Sequence, residues 1–398
     1  MNINDTPRAN RPHIAIFGRR NAGKSSLINA ITGQDIALVS EQAGTTTDPV
    51  YKSMEILPLG PCVLIDTAGI DDEGTLGQLR VKKTREVLEK SDLAILIIDP
   101  FLGISNFEKD LLKSFDQQGV PVLGILNKID LFEGEIKELA KELGLNLHPV
   151  STLSGEGIAE LKELIAQYTP TDYAKESIVG DLLSPGDLCI LVTPIDSAAP
   201  KGRLIFPQVQ TIRDILDHNA QALVVKETEL PAALASLKQP PRLVITDSQA
   251  FKEVSALLDT SIPLTSFSIL FARYKADLKN MMEGIRAVEN LKPGDRVLIA
   301  EACTHHRQED DIGTIKIPRL LEKQAGGKLD INWYSGNSYP DDLESYNLIV
   351  HCGACMLNRK QMLSRVRKAQ EKNVPIVNYG VLLAYMTGIL ERTTAMFQ

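Results

Sequence analysis

The sequence contains no apolar run close to the about 20 residues that a membrane-spanning helix needs. Its first residues, MNINDTPRANRPH, also lack the apolar core of a secretion signal, so we expect a cytoplasmic protein without a membrane partner. The 43 basic residues are outnumbered by 51 acidic ones, and the net charge of −8 argues against a broad nucleic-acid surface. Cysteine is scarce as well, because five in 398 residues are too few for a disulfide scaffold.

The composition is otherwise that of an ordinary globular protein, with 43% hydrophobic and 24% charged residues. At roughly 150 residues per domain, the length allows two or three domains. We predict the first over residues 8–170, where short apolar runs such as HIAIF, LAILIIDP and VPVLGILNKID alternate with charged, helix-like stretches. Apolar strands that alternate with helices predict a parallel sheet covered on both faces.

The same alternation restarts twice further along the chain. Runs such as DLCILVTPI, ALVVKE, LVITD and PLTSF predict a smaller α/β domain over residues 180–268. One long helical pattern follows over residues 271–291. The runs RVLIA, LDINWY, YNLIVHC and VPIVNYG then predict a third domain, again parallel α/β, over residues 269–398.

A phosphate-binding motif follows the first apolar run. GRRNAGKS, residues 18–25, fits G-x-x-x-x-G-K-[ST] between a predicted strand and a predicted helix. The glycines let backbone N–H groups close around phosphates, Lys24 reaches the terminal phosphates, and the Ser25 hydroxyl can ligate Mg²⁺. We expect nucleotide contacts from Gly18, Asn21, Ala22, Gly23, Lys24, Ser25 and Ser26.

Two further motifs complete the phosphate and magnesium site. DTAG, residues 66–69, ends an apolar strand, so Asp66 can hold the Mg²⁺ shell through water and the Gly69 N–H can meet the γ-phosphate. AGTTTD, residues 43–48, lies between the phosphate loop and DTAG, where a threonine would complete the Mg²⁺ shell. Thr46 is our choice for this ligand, and Thr45 is the second choice.

The base is indicated by NKID, residues 127–130, which also ends a strand. The Asp130 carboxylate can accept both N1–H and N2–H of guanine, and adenine offers neither in that arrangement. Asn127 can bridge the base to the phosphate loop, and the Lys128 stem can cover the ring. STLSG begins at Ser151, where a fifth loop would touch the base. We therefore expect GTP and GDP as ligands.

These five motifs in this order resemble the GTPases related to Era and to the tRNA-modification GTPase TrmE, over about residues 10–168. The resemblance implies a Ras-like P-loop GTPase domain that hydrolyses GTP to GDP and phosphate. Asn21 is similar to the K⁺-binding residue of the potassium-activated members, although loop geometry alone also explains an asparagine there. Ile70 stands where Ras-like enzymes carry a water-positioning glutamine, and an apolar side chain cannot orient water. We expect slow, K⁺-stimulated turnover and assign no catalytic residue, since the acidic residues after Ile70 or a K⁺-ordered loop could position the water.

Thiols and imidazoles concentrate in two short loops near the C-terminus. Cys303 and His305 lie in EACTHH, directly after RVLIA, and Cys352 and Cys355 lie in HCGAC, directly after NLIV. Open parallel sheets bind ligands at the carboxyl ends of their strands, so the two loops can form one site if their strands are neighbours. Three thiolates and a histidine could bind Zn²⁺ or an iron–sulfur cluster, and C-x-x-C alone also suits redox thiols.

The remaining cysteines differ from these. Cys62 and Cys189 lie inside apolar strands, and we expect them to be small core residues. Core burial is also the alternative for the C-terminal cysteines. It is disfavoured because three of the five cysteines and three of the six histidines fall in the two polar loops.

C-x-H followed by H-C-x-x-C, behind a TrmE-like GTPase domain, resembles the HydF family of [FeFe]-hydrogenase maturation GTPases along the whole chain. The resemblance implies that Cys303, Cys352 and Cys355 ligate a [4Fe–4S] cluster, with His305 and His351 as candidates for the fourth ligand. It also implies a homodimer formed through the middle domain. The protein would receive a di-iron precursor from radical-SAM maturases and deliver it to apo-[FeFe]-hydrogenase. Further donors near the cluster site are Glu301, His306, Asp310 and Asp311.

Two other functions stay open from the sequence. The first is an RNA-associated GTPase related to TrmE or Era that carries a structural zinc, which predicts a basic accessory domain in a chain that is net acidic. The second is a zinc-binding interaction module fused to a GTPase domain. An iron–sulfur cluster in the purified protein would separate the scaffold from both, because both predict zinc.

Overall fold

The computed structural model describes residues 8–33, 49–67, 83–170, 177–195, 202, 204–302, 311–336, 339–340 and 342–397. The chain divides into two compact units, Met1–Tyr173 and Ala174–Gln398. The first unit contains one largely parallel sheet and the second contains two parallel sheets, all with helices, so the predicted α/β class is confirmed. Among the described residues, no helix combines the length and apolar character needed to cross a membrane.

The first unit is built on a six-stranded sheet. Its strands are β1 (His13–Phe17), β2 (Val50–Ile56), β3 (Gly60–Asp66), β4 (Leu93–Ile98), β5 (Val122–Leu126) and β6 (Leu147–Pro149). They lie in the order β2-β3-β1-β4-β5-β6, and all neighbours are parallel except the β2–β3 pair. The strand β2 was not predicted, because VYKSMEI is half exposed and does not form an apolar run.

Helices cover both faces of this sheet. They are α1 (Lys24–Thr32), α2 (Asn106–Gln117), α3 (Ile136–Leu143) and α4 (Ile158–Tyr168), and residues 83–88 are also helical. Alternate residues of β1 enter different cores, with Ile14 and Ile16 on one face and Ala15 and Phe17 on the other. Burial on both faces explains why the strands read as continuous apolar runs.

The second unit contains two four-stranded sheets, both wholly parallel. The first sheet is formed by β7 (Leu188–Val192), β8 (Gln221–Val225), β9 (Leu243–Thr246) and β10 (Leu264–Ser266), in the order β10-β9-β7-β8. The second is formed by β11 (Arg296–Glu301), β12 (Asp330–Ser335), β13 (Leu348–His351) and β14 (Ile376–Asn378), in the order β12-β11-β13-β14. β11 and β13, which precede the two loops rich in cysteine and histidine, are therefore neighbours.

The helices of the second unit surround both sheets. They are α5 (Phe206–Asp217), α6 (Leu230–Ser236), α7 (Phe251–Leu257), α8 (Phe267–Lys275), α9 (Leu278–Glu283), α10 (Ile285–Glu289), α11 (Ile317–Ala325), α12 (Arg359–Glu371), α13 (Tyr379–Met386) and α14 (Leu390–Thr394). A π-helix, Ile312–Lys316, precedes α11. One buried core contains Ile190 and Val244 of the first sheet together with Val297 and Val350 of the second, so the sheets pack as one body.

The predicted continuous helix over residues 271–291 is wrong, because α8, α9 and α10 occupy this region as three short helices. Asp277 starts α9, since its carboxylate accepts from the Lys279 N–H at 2.9 Å. Gly284 separates α9 from α10 and packs closely on β14. A Cβ at Gly284 would lie 2.2 Å from the Ile376 carbonyl oxygen, so only glycine allows this approach.

Candidate functional site

The phosphate loop runs from the end of β1 into the start of α1. Gly23 has φ 98°, and a Cβ there would lie 2.2 Å from the Asn127 Nδ2 atom. At Gly18 a Cβ would lie 2.7 Å from the Ile97 carbonyl oxygen. Gly18 is therefore required by a close backbone neighbour, and Gly23 by its positive φ and the nearby Asn127 side chain, as well as by the motif. Asn21 adopts a left-handed conformation with φ 61°, which asparagine tolerates better than most residues.

Three polar side chains predicted to act on phosphate and magnesium lie together behind this loop. The buried Lys24 Nζ donates to the carbonyl oxygens of Gly18 at 2.7 Å and Arg19 at 2.8 Å. The Ser25 hydroxyl donates to Asp66 Oδ2 at 3.0 Å. Burial raises the pKa of the Asp66 carboxyl, whereas the Ser25 hydrogen bond and the nearby Lys24 and Lys52 lower it. The hydroxyl and carboxylate oxygens of Ser25 and Asp66 are the donors that Mg²⁺ prefers.

Asn127 connects the phosphate loop to the loop that begins at Ser151. Its Nδ2 donates to the Ala22 carbonyl oxygen at 3.0 Å, and its Oδ1 accepts from the Thr152 N–H at 3.2 Å. The Ser151 hydroxyl oxygen accepts from the Ser154 N–H at 3.1 Å. Asp130 is exposed in the 3-10 helix Ile129–Leu131. The predicted base-binding residues thus lie on adjoining loops at the carboxyl edge of the sheet.

Asp99 also belongs to this region, although its role was not predicted from the sequence. Its carboxylate lies 2.6 Å from the Lys128 Nζ, and Lys128 has a left-handed φ of 62°. Asp99 directly follows β4, beside the strand that leads into NKID, and an acidic residue at the end of an apolar strand was the available signal. The ion pair fixes the Lys128 stem where it would lie against a base.

Arg19 ties the phosphate loop to the start of α2, and this contact was also missed. The Arg19 guanidinium donates to the Gly103 carbonyl and lies 2.6 Å from a Glu108 carboxylate oxygen. The Glu108 side chain is only 1% exposed, and it also accepts from the Ser105 N–H at 2.8 Å as part of the helix cap. A buried carboxylate of this kind requires its cation.

We expect Arg19→Ala to lower the free energy of unfolding of the first unit by about 3 kcal/mol, because it leaves the Glu108 charge buried without its partner. The double variant with Glu108→Gln should recover part of the loss, since it removes the stranded charge. Unfolding in urea would be followed by circular dichroism. The single tryptophan, Trp333, lies in the second unit, so its fluorescence reports separately on the unfolding of that unit and serves as an internal reference. An unchanged circular dichroism transition in Arg19→Ala would contradict this role.

Four residues considered for the nucleotide site, Thr45, Thr46, Gly69 and Ile70, lie outside the described residues. Cys303 and His305 of the predicted cluster site lie outside them too. Within the described ranges, no group of three or more His, Cys, Asp or Glu side chains is placed to hold a metal ion. The ligand sets that include these residues remain predictions.

The C-x-x-C loop begins where β13 ends. β11 and β13 pair with Ala300 opposite His351, which brings Ala302 beside Cys352. The Cys352 Sγ accepts from the N–H groups of Ala302 at 3.0 Å and Ala354 at 3.5 Å. Ala302 directly precedes Cys303 in the sequence. The chain therefore enters the Cys303 loop next to the Cys352 sulfur, and backbone amides already point at that sulfur.

The fully buried His351 has both ring nitrogens engaged. Its Nδ1 lies 2.9 Å from the Cys352 carbonyl oxygen, and its Nε2 lies 3.0 Å from Arg365 Nη1. Because a guanidinium only donates, Nε2 accepts and Nδ1 carries the proton. Arg365 also donates to the Gly336 carbonyl oxygen at 2.7 Å and lies over the Tyr339 ring. Ligation of iron by His351 would require the loss of one of these bonds.

Lys275 is buried under the same loop, and nothing in the sequence drew attention to it. Its Nζ donates to the carbonyl oxygens of Ala354 at 3.1 Å, Cys355 at 3.2 Å and Leu357 at 2.7 Å. Burial lowers the pKa of Lys275 to about 8, and negative charge on the thiols of Cys355 and Cys352 opposes this shift. A single lysine within the helical pattern of residues 271–291 carries no motif, so only the fold reveals the contact.

The other two cysteines are core residues, as predicted. Cys62 and Cys189 are fully buried in β3 and β7. Burial raises the pKa of each thiol to about 12, so neither forms a thiolate readily. They provide matched controls for substitutions in the C-x-x-C loop.

Three family models match successive parts of the chain. Residues 13–128 match the model described as 50S ribosome-binding GTPase. Residues 178–276 match the hydrogen maturase F dimerization domain, and residues 279–396 match the hydrogen maturase F tetramerization domain. The two hydrogen maturase F models together cover more than half of the chain.

Each of the curated relatives described next matches less than half of the chain. GTPase Der from Wolinella succinogenes is 38% identical over 164 residues, which are 38% of this chain and 34% of that protein. The tRNA modification GTPase MnmE from Chromobacterium violaceum is 33% identical over 167 residues, 42% of this chain and 36% of that protein. The chain thus spans about a third of the length of these relatives. The crystal structure of Era from Aquifex aeolicus with GDP and aluminium fluoride is 21% identical, covers 54% of this chain and 93% of its own, and has a TM-score of 0.37.

These matches confirm the predicted Ras-like P-loop GTPase domain. The first unit is therefore a GTPase domain, a class that binds GTP or GDP with Mg²⁺. Its phosphate loop, Ser25–Asp66 pair and NKID loop are the parts that such a domain requires.

Proposed function

Because this chain belongs to the hydrogen maturase F family, we propose that it is a GTP-hydrolysing scaffold for the di-iron subcluster of the [FeFe]-hydrogenase active site. The observation that supports this most is the C-x-x-C loop beside the residue that precedes Cys303, in a region that matches a maturase family. The GTPase domain would act as a switch, and the thiol site would hold the metal.

The proposed cluster ligands are Cys303, Cys352 and Cys355, and their chemistry suits a [4Fe–4S] cluster. Amide donors on the Cys352 Sγ would stabilise a thiolate, and a buried ammonium lies against the carbonyls of the same loop. When bound, the cluster would supply an iron to which a di-iron precursor can attach. His305 and His351 are the candidates for the fourth coordination position. A weak or exchangeable ligand there would leave that iron open to the precursor.

The proposed GTP cycle uses Ser25 and Thr46 as Mg²⁺ ligands, with K⁺ at Asn21 as an activating ion. GTP and Mg²⁺ would hold the segments around Thr46 and DTAG in one arrangement, and hydrolysis would release them. Turnover would be slow without K⁺ or a partner, because Ile70 cannot position water. The nucleotide state would thereby control which partner the scaffold engages.

The proposed partners follow from this role. Copies of the same chain would associate through the regions that match dimerization and tetramerization domains. Radical-SAM maturases would load the di-iron precursor, and apo-[FeFe]-hydrogenase would receive it, in the cytoplasm. These partners are proteins, so the role needs no nucleic-acid surface.

The experiment is an anaerobic activation assay with the full chain. Chain produced together with the radical-SAM maturases should activate apo-[FeFe]-hydrogenase, measured as hydrogen evolution. Chain produced without them serves as the control and should give only background. If the maturase-loaded chain also gives background while its iron content is high, delivery of the precursor is excluded.

A further inference from the structure

We propose that Lys275 is a positioning residue of the thiol site. Its ammonium would hold the loop 352–357 in the shape that presents both thiols and would keep one positive charge beside them. This inference rests on the proposed cluster site, but part of its test needs no metal. The residue lies in the stretch matched by the dimerization model, whereas the loop lies in the stretch matched by the tetramerization model.

The geometry matches the hydrogen-bonding capacity of a lysine. An ammonium has three N–H donors, and three carbonyls of the loop accept from Lys275 at 2.7 to 3.2 Å. Ala354, one of the three, has a left-handed φ of 53°, so the loop turns sharply where the ammonium holds it. Its N–H donates to the Cys352 Sγ, which links the turn to the thiol. One buried cation therefore fixes the backbone from Ala354 to Leu357.

The charge of Lys275 is not balanced by these contacts, because the carbonyls are neutral. Burying an ammonium among neutral groups costs free energy, and a lysine buried in this way needs a compensating anion. The Phe271 ring, 5.5 Å from Nζ, offers only a weak cation–π attraction. Thiolates bound to a cluster would bring negative charge to this loop. The Lys275 ammonium would then compensate part of that charge.

A second contact joins the same two segments. The Arg359 Nε, at the start of α12, donates to the carbonyl oxygen of Tyr274 at 3.2 Å. The end of α8 is thus tied both to the C-x-x-C loop and to the helix that follows it. A shift of α8 would therefore move the backbone next to the thiols. Because α8 directly follows β10, Lys275 connects the first sheet of the unit to the proposed metal site.

The test compares Lys275→Met with Lys279→Met, which removes the same charge from an exposed position four residues away. In the metal-free full chain, hydrogen exchange at the amides of Ala354 and Leu357 should be about tenfold faster in Lys275→Met than in wild type, since charge-assisted hydrogen bonds are lost. Lys279→Met should exchange like wild type. Equal rates in wild type and Lys275→Met would overturn the positioning role.

The charge is tested after anaerobic reconstitution with iron and sulfide. The cluster of Lys275→Met should have a more negative reduction potential than wild type, because the reduced cluster loses a nearby cation. Lys275→Arg retains the charge and should keep the wild-type potential. A purely structural lysine would leave the potential unchanged in every variant that binds a cluster, and that result would overturn the role of the charge.

The two proposals fail in different ways. If wild type takes up no iron, the proposed cluster site fails, while the exchange rates in the metal-free chain still decide whether Lys275 holds the loop. If wild type binds a cluster and Lys275→Met matches it in exchange rates and potential, only the Lys275 proposal fails. Should Lys275→Met not fold by circular dichroism, Lys275→Gln replaces it in the same measurements.

Discussion

Asp130→Asn should weaken GTP binding by about a thousandfold, because two charge-assisted hydrogen bonds to the base are lost at roughly 1.5–3 kcal/mol each. The carboxylate would accept N1–H and N2–H of guanine, whereas an amide presents one donor and one acceptor. Xanthine carries a carbonyl in place of the guanine amino group, and that carbonyl can accept from the new amide N–H. The variant should therefore bind xanthosine triphosphate better than wild type does.

Fluorescent nucleotide titrations of the full chain would measure this exchange of specificity. Asp130 is exposed, so the substitution should leave the fold intact. Glu133→Gln is the matched control, because Glu133 is an exposed acid three residues further on. If Asp130→Asn kept wild-type GTP affinity, or gained no affinity for xanthosine triphosphate, NKID would not be the segment that recognises the base.

Cys352→Ser and Cys355→Ser should each lower the iron bound after anaerobic reconstitution by at least about tenfold, since each removes one of three protein thiolates from the proposed cluster. A serine hydroxyl is a far weaker ligand for iron than a thiolate. The loss should be accompanied by loss of the cluster's EPR signal after reduction. The two variants should retain GTP binding, because the nucleotide motifs lie in the other unit.

Cys62→Ala and Cys189→Ala control for the loss of a cysteine as such. Both residues lie in strand cores, so the two variants should bind wild-type amounts of iron despite a small loss of stability. Reconstitution followed by iron and sulfide analysis compares all four variants. Wild-type iron in both loop variants would remove the C-x-x-C loop from the metal site.

The strands that are buried on both faces could be predicted from the sequence, because they form apolar runs such as HIAIF and NLIV. The edge strand β2 could not, since one side of an edge strand meets solvent and its sequence is mixed. The break at Gly284 also escaped prediction. Helical periodicity continues through this position, and the packing on the Ile376 carbonyl that requires a glycine here is visible only in the fold.

The residues of the candidate sites also fall into those that the sequence predicts and those that only the fold reveals. Lys24, Ser25, Asp66 and Asn127 belong to motifs in which residue types recur at fixed spacing, and the fold brings them together. The contacts made by Lys275 and Arg19 join residues about 80 to 90 positions apart in the sequence, and no local pattern marks either partner.

The C-terminal loops fall between these cases. The sequence shows two clusters of ligands at strand ends, but strand order cannot be read from it. The pairing of β11 with β13 is what brings Ala302, and with it the start of the Cys303 loop, to Cys352. The proposal that the two ligand clusters form one site depends on this neighbour relation.

The metal content of anaerobically purified full-length chain tests the central claim most directly. The scaffold function predicts a brown protein with about four iron and four sulfide per chain after reconstitution, and an EPR-active cluster on reduction. About one zinc per chain, held tightly and with no cluster after reconstitution, would contradict it and would leave a GTPase with a structural zinc.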